Sequence, residues 1–195
     1  TFPLLQQPKL AFKYDPTALL VVTPAIQFGL EFKIAKNQAL QLEYGYITDF
    51  FNSSKSDFDG YKIKGEYRFY PEVFKSRSDL TFLGVQYMYK QVNTRGSATV
   101  WRDNNTYQEI VDVEVLNKTN AFYLFAGKTI KLSNQFYLEN VIGLGGKSLN
   151  IKVVKPEDVT LREVLPRNGF LLGRGEGEMD YVTFLYSFKF IYKIK

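Results

Sequence analysis

The C-terminal segment Tyr181-Val-Thr-Phe-Leu-Tyr-Ser-Phe-Lys-Phe-Ile-Tyr-Lys-Ile-Lys195 confines this chain to a narrow set of folds. Val182, Phe184, Tyr186, Phe188, Phe190, Tyr192 and Ile194 fall on one face, and Thr183, Ser187, Lys189 and Lys193 on the other. Leu185 and Ile191 are the exceptions. Alternation with period two is the mark of a strand, because successive side chains point to opposite faces of a sheet. The same division recurs along the chain, with one face apolar, aromatic and uncharged.

Where that face can go depends on composition. Hydrophobic residues make up 45% and aromatics 16%, yet mean hydropathy is only -0.20. Charges interrupt every window long enough to cross a bilayer as a helix. A membrane chain without such a helix must close into a barrel, since lipid satisfies no backbone hydrogen bond. The 195 residues form one domain with no internal shift in composition, and residues 1–8 are expected to be an N-terminal periplasmic segment. No signal peptide is visible, and numbering from Thr1 fits a mature chain. Cysteine and histidine are both absent. This removes disulfides, thiolate metal sites, Ser-His-Asp and Cys-His nucleophile systems and any imidazole base. No pair of carboxylates stands out as a glycosidase arrangement. The expectation is a protein that is not an enzyme and has no catalytic, cofactor or metal-binding residues.

Period two gives eight strands. The first runs from Lys9 to about Leu20, the second from Ala25 to Ala35, and the third from Ala39 to about Thr48. After a polar loop, Asn52 to Gly60, the fourth covers Tyr61 to Tyr70 and ends before Pro71. The fifth spans Leu80 to Gln91. A polar stretch, Val92 to Asn117, forms a long loop or extends its flanking strands. The sixth, Thr119 to Ile130, has no readable facing, because Phe122, Tyr123, Leu124 and Phe125 are all apolar or aromatic. The seventh runs from Gln135 to about Asn150, and the eighth starts at Met179. Between them, Pro156 to Leu165 has the proline and acids of a short helix start. Short and long connections alternate, as in an eight-stranded antiparallel up-and-down transmembrane β-barrel with periplasmic turns and outer loops.

A soluble lipocalin-like carrier would use the same alternation with the apolar face inward. Three features favour an apolar face turned to lipid: its near lack of charge, glycines gathered on the polar face, and Tyr and Phe near strand ends like interfacial girdles. The interior then holds a polar network of Glu31, Lys33, Glu43, Lys62, Lys64, Glu66, Arg68, Glu139 and Lys189. Eight strands leave a lumen just wide enough for side chains to fill, so opposite charges neutralise one another there. The net charge of +5 is spread rather than gathered, which fits rim lysines near lipid headgroups and no nucleic-acid partner. Glycine clusters at Gly143 to Gly146 and Gly169 to Gly177 lack the context of a nucleotide site. Apolar residues in the longer loops, Trp101, Leu161, Leu165, Phe170 and Leu171, together with Arg102, are the candidate partner contacts.

The segments Lys9-Leu-Ala-Phe-Lys-Tyr-Asp15, Pro24-Ala-Ile-Gln-Phe-Gly-Leu-Glu-Phe32 and Ala39-Leu-Gln-Leu-Glu-Tyr-Gly45 resemble small outer-membrane β-barrel proteins of Bacteroidota, a family of unknown function. The ending Glu66-Tyr67-Arg68-Phe69-Tyr70 and the segment Phe136 to Gly146 resemble it too, and the architecture is similar to OmpX and OmpA. One departure is the end Tyr192-Lys-Ile-Lys195, which lacks the terminal aromatic favoured in proteobacteria. The resemblance implies a Gram-negative outer-membrane location and a role as accessory subunit of a larger assembly. The expected partners are outer-membrane lipid, lipopolysaccharide and a membrane protein. A stand-alone porin-like barrel for adhesion or small-solute passage is the alternative.

Overall fold

The computed structural model describes residues 8–21, 23–48, 57–74, 79–102, 107–154, 165–166 and 177–194. Its strands are β1 (Leu10–Tyr14), β2 (Ala25–Ala35), β3 (Gln38–Thr48), β4 (Asp57–Phe69), β5 (Asp79–Arg102), β6 (Tyr107–Lys131), β7 (Phe136–Val154), β8 (Leu165–Pro166) and β9 (Gly177–Lys193). Each long strand pairs antiparallel with its neighbours in the chain, and β9 pairs with β1. Eight antiparallel up-and-down strands therefore close into a ring, and β8 adds a two-residue pairing to β5 at Ala98 and Thr99.

The register fixes the shape of the ring. From Tyr14 the pairs run through Phe28, Tyr44, Ile63, Tyr89, Asn120 and Ser148 to Asp180, but Tyr14 itself pairs with Phe190, ten residues further along β9. Eight strands with a stagger of ten tilt by about 41° and enclose a radius of about 8 Å. β1, β3, β5 and β7 begin and β2, β4, β6 and β9 end at one end of the ring, the turn end. At the other, the loop end, β1, β3, β5 and β7 end and β2, β4, β6 and β9 begin.

Several boundaries differ from the sequence reading. The first strand stops at Tyr14, because Pro16 lacks an N–H for the ladder and residues 16–19 wind into one 3₁₀ turn. The fourth starts at Asp57, inside the expected loop. The stretch 92–117 takes the second of its two expected forms, an extension of the flanking strands: β5 and β6 continue as a paired ribbon from Val92↔Asn117 to Arg102↔Tyr107. Its polarity reflects surroundings that are not apolar, and the alternation of Val111, Val113 and Val115 survives, all three buried. Leu165–Pro166 is extended rather than helical; the rest of the expected helix lies outside the described residues.

The ambiguous sixth strand resolves by packing. Tyr123 and Phe125 point inward and Phe122 and Leu124 outward. Bare glycine surface makes room for the inward rings: a Cβ on Gly84 would sit 2.5 Å from Phe125, and one on Gly127 would sit 2.3 Å from Phe82. The apolar exceptions of the last strand, Leu185 and Ile191, are also inward. They join Ala39, Tyr70, Leu80, Phe82, Phe125, Tyr137 and Val141 in an apolar floor at the turn end. A second cluster, Ala18, Ala25, Ile47, Phe58 and Val92, packs at the loop end.

Candidate functional site

Between these two apolar layers the interior carries charge. Period two places Lys64, Glu66 and Arg68 on the inner face of β4, and ring closure brings Lys13 of β1, Glu31 of β2, Glu43 of β3, Glu139 of β7 and Lys189 of β9 to meet them. Arg68 is fully buried and acts as the hub. Its Nη1 and Nη2 fork onto Glu139 at 2.7 and 3.0 Å, its Nε donates to Glu66 at 2.9 Å, and Nη1 reaches Glu31 at 3.1 Å. The guanidinium plane lies 4.5 Å from the Phe82 ring centre and 5.8 Å from that of Phe125, which the glycine gaps allow.

The lysines bridge the remaining lone pairs. Lys13 Nζ donates to Glu31 and Glu139, each at 2.7 Å. Lys189 pairs with Glu43 and, at 3.1 Å, with Glu66. Lys64 lies 3.1 Å from Glu43 and 3.7 Å from Asp15. Tyr70 and Ser187 donate to Glu31 and Asp15, each at 3.0 Å. Four cations thus meet five carboxylates, all buried and all multiply bonded. Buried ions persist only when paired and hydrogen-bonded, and this arrangement meets that condition. What it does is fill: the side chains form a plug across the ring.

Seven of the nine residues expected in the network are brought together: Glu31, Glu43, Lys64, Glu66, Arg68, Glu139 and Lys189. Lys33 is not, because it is half-buried at the register shift between Lys33 and Ala35 and stands outside the plug. Lys62 points inward but lies towards the loop end, without an ion pair among the described residues. Asp15, Gln27 and Tyr70 belong to the network and were not singled out from sequence. Tyr70 was legible, being in phase with Lys64, Glu66 and Arg68. Asp15 was legible too, in phase with Lys13 on the polar side of the first segment, although β1 itself ends at Tyr14.

Of the candidate partner contacts, Leu161, Phe170 and Leu171 lie outside the described residues. Trp101 and Arg102 belong to β5 and Leu165 to β8, so these three sit on strand backbone rather than in loops.

The outer wall is apolar. Outward positions on β6 run from Lys118 through Asn120, Phe122, Leu124 and Ala126 to Lys128, and Phe184 on β9 is 83% exposed. The interval between the two lysines, ten residues at the ring's tilt, measures about 25 Å along its axis. A shallow depression of about 560 Å³ opens on this wall beside Gly146, lined by Phe122 and Val182 and by Tyr87, whose hydroxyl donates to Asn120 at 2.7 Å. At the turn end the exposed Lys36 donates to Glu72 at 2.7 Å, and this hydrogen bond raises the ammonium's pKa above its ordinary value.

No curated protein and no solved structure matches the chain. A family model described as "Protein of unknown function (DUF3575)" matches residues 4–162, a span that holds β1 to β7 and leaves the closing strand β9 beyond it. The chain therefore belongs to the DUF3575 family of proteins of unknown function.

Proposed function

We propose that this protein is a non-enzymatic β-barrel of the Gram-negative outer membrane that serves as an accessory subunit, docking a protein partner at its loop end. The observation that carries the membrane reading is the wall: outward Phe28, Leu30, Leu42, Tyr44, Leu124, Leu144 and Phe184 form an exposed apolar surface. Its height of about 25 Å between flanking lysines equals the apolar band of a membrane barrel. Exposed apolar area of this size in a soluble chain would drive association. Lipid and lipopolysaccharide are its natural surroundings.

The plug argues against solute passage, since charged and aromatic side chains fill the cross-section. Recognition then falls to what projects. β4 ends its pairing at Asp57↔Arg95 and β7 ends its pairing at Glu114↔Val154, while β5 and β6 continue together to Arg102↔Tyr107. On the β5 side Leu165–Pro166 pairs with the ribbon; on the β6 side, from Tyr107 to Val113, no strand does so among the described residues. An open strand edge is a template for an added strand. Exposed Tyr107 and Ile110 lie on it.

Native purification in detergent, with mass spectrometry of what co-purifies in fixed ratio, tests this reading. Replacing residues 96–113 by a short Gly/Ser turn is expected to leave a folded ring that loses its companion. Retention of the companion would move the contact to the wall or the turns, and absence of any companion in the parent protein would favour a stand-alone surface barrel.

A further inference from the structure

Above the plug, towards the loop end, the interior carries cations that the plug does not use. Lys62 of β4 and Lys90 of β5 are directly opposite each other in the ladder, and both point inward. Like charges facing one another across two strands repel at a side-chain separation of about 5 Å. Lys147 of β7, also inward, adds its repulsion to Lys90. Among the described residues no carboxylate lies within ion-pair distance of these three lysines; Asp15 and Glu43, each bonded to a cation of the plug, attract Lys62 from further away. The contacts they do make are neutral: Lys90 Nζ donates to Thr23 Oγ1 at 3.2 Å, and Lys147 Nζ lies 5.1 Å from the Tyr181 ring centre. Further down the inner line of β5, the buried amide of Gln86 leaves its Nε2 donor without an acceptor.

We propose that Lys62, Lys90 and Lys147 together bind a phosphate-class oxyanion inside the ring, on the loop side of the plug. Three half-buried inward ammonium groups without an ion pair, of which Lys62 feels the plug carboxylates Asp15 and Glu43 only at longer range, are costly unless an anion joins them. The apolar cluster at the loop end, Ala18, Ala25, Ile47, Phe58 and Val92, lowers the dielectric on that side and strengthens their field. Lysines act as point charges towards phosphate, and Thr23 adds a hydroxyl. The plug closes the floor, so the anion is held rather than conducted.

The test uses the full chain folded in detergent, titrated with inorganic phosphate and, in parallel, with chloride at equal ionic strength, read by phosphorus NMR and by the thermal unfolding midpoint. The parent is expected to show saturable phosphate binding and a raised midpoint that chloride does not reproduce. The pair Lys62→Met and Lys90→Met together is expected to weaken binding by at least about ten-fold, while unfolding no earlier than the parent in phosphate-free buffer, since a repulsion has been removed. Should that double variant fail to fold, Lys90→Gln alone is expected to weaken binding in the same direction. Equal responses to phosphate and chloride, or unchanged phosphate affinity in a folded variant, would overturn the proposal.

Discussion

Replacing Arg68 by Met tests the plug at its hub. The side chain is fully buried and joins Glu31, Glu66 and Glu139. Its removal leaves Lys13, Lys64 and Lys189 as the cations facing five buried carboxylates, and it takes away the guanidinium that forks onto Glu139. Loss of one member of a buried ion pair costs about 3–5 kcal/mol, because the partner stays buried and uncompensated. Arg68→Met is therefore expected to lower unfolding free energy in detergent by about that amount. Adding Glu139→Gln restores the former excess of one negative charge, so the double variant is expected to recover about 2 kcal/mol. Arg68→Lys keeps the charge without the fork and should fall between the parent and Arg68→Met. Reversible urea unfolding in micelles, followed by far-UV circular dichroism, measures these four proteins and Glu139→Gln alone on one scale. A stability for Arg68→Met within about 1 kcal/mol of the parent, or a double variant weaker than the sum of its single changes, would refute the reasoning.

Three further outcomes follow from other parts of the molecule. Leu42→Arg, on the outer wall, is expected to cost about 2–4 kcal/mol in a bilayer and Leu42→Met almost nothing, as measured by folding yield into vesicles. Gly127→Ala drives a methyl group against the Phe82 ring and should destabilise by about 1–3 kcal/mol, with Phe82→Leu relieving part of the loss in the same unfolding assay. In planar bilayers the parent is expected to carry no steady ionic current, because the plug spans the ring; a stable open conductance would contradict that description.

The ring was legible wherever environment imposes period two. On β2, β3 and β4 the outward residues are apolar and most inward ones polar, so Glu31, Glu43 and Glu66 could be assigned to the interior from local pattern alone. Legibility failed where both faces meet similar surroundings. On β6 the run Phe122 to Phe125 contributes rings both outward and into the glycine gaps, and only the positions of Gly84 and Gly143 on neighbouring strands decide which ring goes where. The ribbon beyond Val92 was obscured because its outer face is polar, leaving the alternation of Val111, Val113 and Val115 as the remaining sign of a strand. Partner choice in the plug is less local still. Arg68 and Glu139 lie 71 residues apart, and they meet only because eight strands close with a stagger of ten. Lys33, in phase with Glu31, stands outside the plug at the turn end, beside the register shift.

In a membrane the exposed aromatic wall faces acyl chains. Trp101 is the only tryptophan, so Trp101→Phe combined with Phe184→Trp places a single reporter on that wall. In vesicles whose lipids carry bromine along the acyl chains, the account predicts strong quenching and blue-shifted emission from position 184. Emission unchanged between brominated and ordinary lipids, in a protein that stays folded and monomeric without detergent, would contradict it.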